Sequence, residues 1–346
     1  MVKLLNIDLH ISVIAEVKDI FERINTDIVI EDWTLSGHAW VMNRTPENID
    51  IINSSSWKNM DTDLIEKFIN KYDEIFKTFD GFICCYPISF AMIFERYNKP
   101  IYIINCVRYD MPFCWNNNNI MIEKLHTCLI NLQNKNLLKI ISNNKADDSY
   151  IKFGIPELYT TIIPSLCLYT NMRWNPNNTN NKFLLYTGSL PFENDNIVCR
   201  SSIGNFTWDS LMLFKGIIHL PYDSCSMSIF EHISSEIPLF FPTKKFLKYL
   251  WDNNLITNQM NYWKHNSNTI IPDYLKETIN NNFWIENADY YDITGYYYFD
   301  SFEELNYMVS NFKDVHYDIR KEFIKERKKN ILKQYTESVS LLLTLN

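Results

Sequence analysis

One segment of the chain, residues 216–243, constrains the fold more than any other. It starts with a short apolar run, 217–220, which a proline ends, and this run predicts a buried strand. A helix is predicted over about 227–234, because apolar residues recur there three and four positions apart. The apolar residues 239–241 predict the next strand. The order strand, loop, helix, strand is typical of a βαβ unit and therefore predicts a parallel sheet.

The loop before this helix has the composition of an anion site. Ser224, Ser226 and Ser228 lie where the helix is predicted to begin. Backbone N–H groups are unpaired at such a position, and the helix dipole favours negative charge, so a diphosphate fits there. Glu231, one turn further on, is placed to accept hydrogen bonds from a ribose diol. The alternative is that the serines only cap the helix and that Glu231 lies on a solvated face.

Segment 216–243 resembles the donor-nucleotide segment of GT-B glycosyltransferases, and the resemblance extends in weaker form along most of the chain. It is similar in particular to glycosyltransferases of large DNA viruses and some protists. Glu231 falls where the ribose-binding glutamate of that family lies, and Asp223 falls where many retaining members carry a second glutamate. The glycine-rich loop of those members is replaced by Ser-Cys-Ser-Met at 224–227, which favours an inverting reaction.

The resemblance implies an α/β protein with two Rossmann-like, doubly wound domains that face a cleft. It implies transfer of a sugar from a nucleotide sugar, with UDP favoured over GDP, to a hydroxyl of a glycan or glycoside. No metal and no cofactor are expected beyond the nucleotide sugar itself. The donor-binding residues that the resemblance implies are Gly188, Arg200, Tyr222, Asp223, Ser224, Ser226, Met227, Ser228 and Glu231.

The alternation of strands and helices predicts the domain organisation. Residues 1–167 read as a doubly wound α/β domain, in which the second strand is predicted over 27–30 and a helix over 87–97. Residues 183–315 read as a second α/β domain. Between them, 168–182 is rich in asparagine, contains Pro176 and lacks apolar periodicity, which predicts a linker. A long, partly basic helix is predicted over 316–346. The resemblance implies that this helix crosses back and packs on the first domain.

Polar residues after the early strands are the candidates for catalysis, because ligands of open α/β sheets bind beyond the carboxyl ends of the strands. Several inverting GT-B families carry a His or Asp just after the first strand. His10 is therefore the predicted base, with Asp8 either as the base or as the residue that orients His10. Asp32 and His38 are weaker candidates at the acceptor side of the cleft. Arg108 is a further candidate at the cleft, where it could reach the diphosphate. The alternative for Arg108 and for Arg200 is that each only forms an ion pair at the surface.

Composition excludes several other classes. A net charge of −8 argues against nucleic acid as the main partner. The 7 glycines form neither a dinucleotide-binding nor a P-loop pattern, and the 8 cysteines lack zinc spacing. Asp61-Thr62-Asp63 matches the metal signature of GT-A enzymes, but its position before a predicted helix explains it as a cap. Without a signal peptide or a membrane-length apolar run, a cytoplasmic protein is expected, in the host cytoplasm or virion if viral.

Three alternatives to a glycosyltransferase stay open. A sugar-nucleotide epimerase or hydrolase can use the same fold without an acceptor. A non-catalytic glycan-binding or structural module can keep the fold and lose the base. A periplasmic-type binding protein also has two α/β domains, although the missing signal peptide counts against it. The presence of Asp8, His10 and Glu231 favours an enzyme over a binding module.

Overall fold

The computed structural model describes residues 2–24, 27–204, 206–259 and 279–343, with side chains as far as Val339. The described chain divides into two compact units. The first contains the described residues up to Ser165 together with those from Leu332 onward. The second contains the described residues from Leu166 to Ile331.

Within the described residues of the first unit, six parallel strands form one sheet in the order β2-β1-β3-β4-β5-β6. The strands are β1 Val2–Asp8, β2 Ile28–Thr34, β3 Gly81–Cys84, β4 Ile101–Asn105, β5 Leu138–Ser142 and β6 Thr160–Ile162. The central strands are apolar along almost their whole length, as expected for a parallel sheet covered on both faces. Their polar residues are concentrated toward the carboxyl ends, with Asp8, Asn105 and Ser142 as the last residues of β1, β4 and β5.

Helices connect these strands. They are α1 Ile11–Arg23, α2 Thr62–Phe76, α3 Ala91–Phe94, α4 Asn119–Asn134 and α5 Lys145–Gly154. Side-chain caps fix where α2 and α5 begin: Asp61 accepts the Leu64 N–H at 2.8 Å, and Asn144 accepts the Asp147 N–H at 2.8 Å. Asp61 is thus engaged as a helix cap.

In the described part of the second unit, five parallel strands form a sheet in the order β11-β10-β9-β7-β8. The strands are β7 Phe183–Leu185, β8 Ile197–Cys199, β9 Gly216–Ile218, β10 Leu239–Pro242 and β11 Tyr297–Phe299. The helices are α6 Trp208–Leu211, α7 Met227–Ser234, α8 Lys244–Asp252, α9 Asn281–Glu286 and α10 Phe302–Ser310. The last helix, α11 Tyr317–Leu343, belongs to this unit as far as Ile331 and to the first unit from Leu332 onward. A buried apolar cluster joins the strands to α10 and consists of Phe183, Leu185, Ile218, Leu220, Phe240, Phe299, Leu305 and Val309.

Parallel α/β architecture in two doubly wound units is confirmed, but two local predictions are wrong. The second strand does not end at residue 30, since β2 continues to Thr34 and so contains Asp32. The strand tolerates this carboxylate because Lys18 and Arg44 neutralise it. The helix predicted over 87–97 is a succession of short helical turns, of which α3 is the only α-helical one in this described stretch. Among the described helices, none combines the length and the apolar character that crossing a bilayer requires.

Arg320, on α11, is a fully buried cation in the second unit. Its Nε donates to the carbonyl of Glu236 at 3.0 Å, and Nη1 donates to the carbonyl of Gly295 at 3.1 Å. Nη1 and Nη2 also donate to the two carboxylate oxygens of Asp314, at 2.9 and 2.5 Å. Because Glu236 follows the carboxyl end of α7, Arg320 ties that helix to α11. The central carbon of the guanidinium lies 5.9 Å from the centroid of each of three aromatic rings, which belong to Trp174, Tyr296 and Tyr317.

Candidate functional site

In the second unit the strand order reverses between β7 and β9, since β8 lies on one side of β7 and the other strands on the opposite side. Ligands of such sheets bind in the crevice at this reversal. Two loops meet there, and Thr187 Oγ1 donates to the carbonyl of Leu220 at 2.9 Å. Gly188 has φ +81°, and a Cβ on it would lie 3.0 Å from Leu220 Cδ1. The loop after β7 therefore needs glycine at 188 to pack closely on the loop after β9.

The start of α7 carries a group of hydroxyls. Ser226 precedes the helix in an extended conformation, and its hydroxyl caps none of the described N–H groups of α7. It lies instead 2.8 Å from Ser228 Oγ and 3.5 Å from the Tyr222 hydroxyl. The alternative interpretation, in which the side chain of Ser226 only caps the helix, is therefore wrong. Met227, also predicted to bind the donor, is buried and contributes packing.

Asp223 and Ser224 shape the loop that leads to α7. Asp223 Oδ1 accepts the Cys225 N–H at 3.2 Å and the Ser224 hydroxyl at 3.4 Å. The Asp223 carbonyl accepts the hydroxyl of Tyr290 at 3.3 Å. Both residues are buried. Their contacts indicate that they hold the backbone of the loop in place.

Glu231 lies one turn into α7 and is only 3% exposed. Its carboxylate accepts the hydroxyl of Tyr169, which comes from the segment predicted to be a linker. Burial raises the pKa of the Tyr186 hydroxyl, and the charge of Glu231 raises it further, whereas Arg200 and a hydrogen bond with Ser228 act in the opposite direction. Tyr186, Ser228, Glu231 and Arg200 therefore share one electrostatic environment. The only sequence signal for Tyr186 is its position directly after β7.

Arg200 follows β8 and is half-buried. Its guanidinium lies 4.0 Å from the centroid of the Phe206 ring, and Nη1 donates to the carbonyl of Gly204 at 3.1 Å. Across the described ranges of the chain, no carboxylate forms an ion pair with it. The positive charge of Arg200 is therefore not neutralised by any carboxylate in the described ranges.

Two buried histidines lie beneath these groups. His219 Nε2 and His232 Nδ1 are 3.0 Å apart, so one ring donates a hydrogen bond to the other. Burial lowers the pKa of His219 to about 3 and lowers the pKa of His232 well below its usual value. The ring of Phe241 stacks on His219 at 5.5 Å, and the ring of Tyr186 meets His232 edge to face at 4.6 Å. The pair is neutral at pH 7 and joins the end of β9 to α7.

This pair predicts that the second unit loses stability in mild acid. Below about pH 6.5 the unfolded chain protonates both imidazoles, while the folded unit keeps them neutral, so the unfolding free energy decreases as the pH falls. The expected loss is about 2–3 kcal/mol from about pH 7.5 to about pH 5.5. Urea unfolding followed by tryptophan fluorescence measures it. A double variant, His219→Phe with His232→Leu, should show a much shallower pH dependence, and an unchanged dependence would exclude the pair as the cause.

In the first unit the strand order reverses between β1 and β3, and Asp8 and His10 lie at that point. Asp8 Oδ1 accepts the backbone N–H of His10 at 2.6 Å, whereas Oδ2 has no hydrogen-bond partner among the described residues. Burial raises the pKa of Asp8 to about 7. His10 is half-buried, and burial lowers its pKa to about 4. Its ring lies 5.9 Å from that of Tyr86, which follows β3.

The remaining predicted residues of the first unit divide into two kinds. His38 is exposed and close enough to His10 to contribute to the lowering of the His10 pKa. Asp32 pairs with Lys18 and Arg44, and Arg108 is 2% exposed with Nη1 3.3 Å from Asp147 Oδ1. The charges of Asp32 and Arg108 are therefore each neutralised by a neighbour. In the described parts of both units, no group of three or more His, Cys, Asp or Glu side chains is arranged to hold a metal.

Comparison with known proteins finds likeness among solved structures only. No family model matches the chain, and no curated protein matches it. Among solved structures, the chain is similar to the co-structure of S. aureus MnaA with UDP, with a TM-score of 0.42 and 10% sequence identity. The likeness covers 83% of this chain and 91% of that one.

Proposed function

We propose that the protein is a metal-independent, inverting glycosyltransferase whose donor nucleotide binds at the start of α7. One observation carries the proposal. At the reversal of the second sheet, the start of α7 lacks a cap from the Ser226 side chain, and it shares its surroundings with the unpaired Arg200 and the buried Glu231. A helix start, whose dipole favours negative charge, together with a nearby cation suits a diphosphate.

Each group then has a role toward the donor. The backbone N–H groups at the start of α7 and the hydroxyls of Ser226 and Ser228 donate to the diphosphate. Arg200 neutralises the charge that builds up on the diphosphate as it leaves, which is the main electrostatic requirement of the reaction. Glu231 accepts hydrogen bonds from the ribose diol, and its contact with Tyr169 fixes its position. UDP stays favoured over GDP as a prediction.

The first unit supplies the base that removes the proton of the acceptor hydroxyl, on a glycan or glycoside. His10 is the group with exposed surface, and its pKa of about 4 keeps it neutral and able to accept a proton at pH 7. Asp8 is fully buried and fixes the backbone of His10 through Oδ1. With a pKa of about 7, Asp8 gains its charge near neutrality, and this charge makes the neighbouring imidazole more basic.

Nucleotide binding tests the donor site. Thermal unfolding with UDP, GDP, CMP and ADP, each in EDTA, should show stabilisation by one diphosphate, about 2.7 kcal/mol at a hundredfold excess over its Kd. Glu231→Gln should weaken binding by about 10–100-fold, since it removes a charged acceptor of two hydrogen bonds. Glu322→Gln, an exposed carboxylate on α11, serves as the control and should bind normally.

Turnover distinguishes the proposed activity from its alternatives. A transferase consumes the nucleotide sugar only when a glycan or glycoside acceptor is present. Release of the free sugar, or its isomerisation, without an acceptor would indicate the hydrolase or epimerase instead. Absence of stabilisation by every nucleotide would contradict the whole proposal and favour a glycan-binding module. A requirement for manganese would contradict the metal-independent mechanism.

A further inference from the structure

A cavity of about 380 Å³ lies in the second unit between the loop after β7, helix α8 and the start of α10. This volume is within the range of small-molecule sites. The lining residues are mostly apolar or aromatic, with two serines and one carboxylate and no basic residue: Ser189, Leu190, Pro191, Phe246, Tyr249, Leu255, Ser301, Phe302 and Glu303. Nothing in the proposed glycosyl transfer requires this cavity.

Aromatic rings form part of its wall. The rings of Phe246 and Tyr249 are nearly parallel, with centroids 6.1 Å apart and an interplanar angle of 10°. The ring of Phe302 meets Phe246 edge to face, at 5.2 Å and 78°. Tyr249 is 53% exposed, so part of its surface is open to a ligand. Faces of aromatic rings carry partial negative charge and attract cations.

Glu303 adds a full negative charge to the same cavity. It lies in the first turn of α10, where its own backbone N–H and Ser301 lower its pKa, so it is ionised at pH 7. No Lys, Arg or His of the described chain forms an ion pair with it. One carboxylate with two serines provides too few oxygen ligands for a calcium or magnesium ion. The charge and the aromatic wall together suit an organic cation.

We propose that this cavity binds an organic cation, an alkylammonium group carried on an apolar body. The rings of Phe246 and Tyr249 contact the methyl or methylene groups around the nitrogen. The carboxylate of Glu303 balances the positive charge, and the apolar lining takes the body of the ligand. This proposal does not depend on the activity proposed above, because no residue of the nucleotide site lines the cavity.

A pair of isosteric probes tests the proposal on the full chain. Choline chloride carries a trimethylammonium group, and 3,3-dimethylbutan-1-ol has the same shape with carbon in place of nitrogen. Titration calorimetry and ligand-observed NMR, at an ionic strength held constant with sodium chloride, should show choline binding at least about fivefold more tightly. Equal binding of the two probes would overturn the proposal and identify a merely apolar cavity. Failure of choline to bind would overturn it as well.

Variants of single residues test which side chains cause the preference for choline over the neutral alcohol. Glu303→Gln should abolish the preference for choline over the neutral alcohol, and Tyr249→Leu should weaken choline binding. Glu304→Gln makes the same change of charge at the adjacent residue, whose carboxylate accepts the Asp300 N–H at 2.6 Å, and should keep the preference. An equal loss in the Glu303 and Glu304 variants would assign the effect to net charge and overturn the site. Thermal unfolding of each variant verifies that it is folded.

Discussion

Replacing Arg320 with leucine should lower the unfolding free energy of the second unit by about 3–5 kcal/mol. The variant leaves the carboxylate of Asp314 without its bidentate partner and the carbonyls of Glu236 and Gly295 without a donor. Lysine at position 320 should also be strongly destabilising, because a single ammonium group cannot reproduce the planar fork of the guanidinium. Urea unfolding followed by tryptophan fluorescence gives the free energies.

Two further variants control this experiment. Lys321→Met changes an exposed neighbour on the same helix and should alter the unfolding free energy by less than about 0.5 kcal/mol. The double variant Arg320→Leu with Asp314→Leu should be more stable than the sum of the single losses predicts, because it leaves no unpaired carboxylate. If Arg320→Leu unfolds like the parent protein, the guanidinium does not anchor this unit.

Replacing His10 with glutamine should reduce turnover of the nucleotide sugar by about 10²–10⁴-fold, the usual contribution of a positioned base. The affinity for the nucleotide should stay the same, because the residues proposed to bind it belong to the second unit. Steady-state kinetics with saturating donor and acceptor measures kcat, and thermal unfolding with the nucleotide measures the affinity. A parallel loss of nucleotide binding would contradict the assignment of His10 as a base.

The dependence of the rate on pH tests the role of Asp8. If His10 and Asp8 act as proposed, the rate of the parent protein should increase as the pH rises through about 7, where Asp8 ionises, while protonation of His10 itself matters only near pH 4. Asp8→Asn keeps an oxygen for the His10 N–H and removes the charge, so its rate should be lower and nearly constant between about pH 5 and 9. The same rise near pH 7 in the variant would show that another group titrates there.

The fold was predictable wherever a strand is an apolar run followed by a turn-forming residue. β3 Gly81–Cys84, β4 Ile101–Asn105 and β9 Gly216–Ile218 are of this kind. β8 Ile197–Cys199 and β11 Tyr297–Phe299 were not predicted, because three residues are too few to show periodicity. These two strands exist because they pair with β7 and β10, and such pairing is a property of the tertiary structure.

The candidate site was predictable in so far as its residues are neighbours in sequence. The loop and helix that contain Ser226, Ser228 and Glu231 come from one continuous segment, so local patterns were sufficient. Tyr169 lies 62 positions from Glu231, and Asp147 lies 39 positions from Arg108. Contacts of such separation arise from packing alone, so local sequence patterns could not identify Tyr169 and Asp147 as the partners.

The contact between Gly295 and Arg320 has a consequence for evolution. Gly295 has φ +84°, and a Cβ on it would lie 2.6 Å from Cγ of Arg320. Any larger residue at 295 would therefore displace the guanidinium from its partners. In diverged chains of this fold, the two positions are expected to change together, with a bulkier residue at 295 accompanied by a shorter side chain at 320. Paired substitution at these positions would identify distant relatives whose overall identity has fallen too low for recognition.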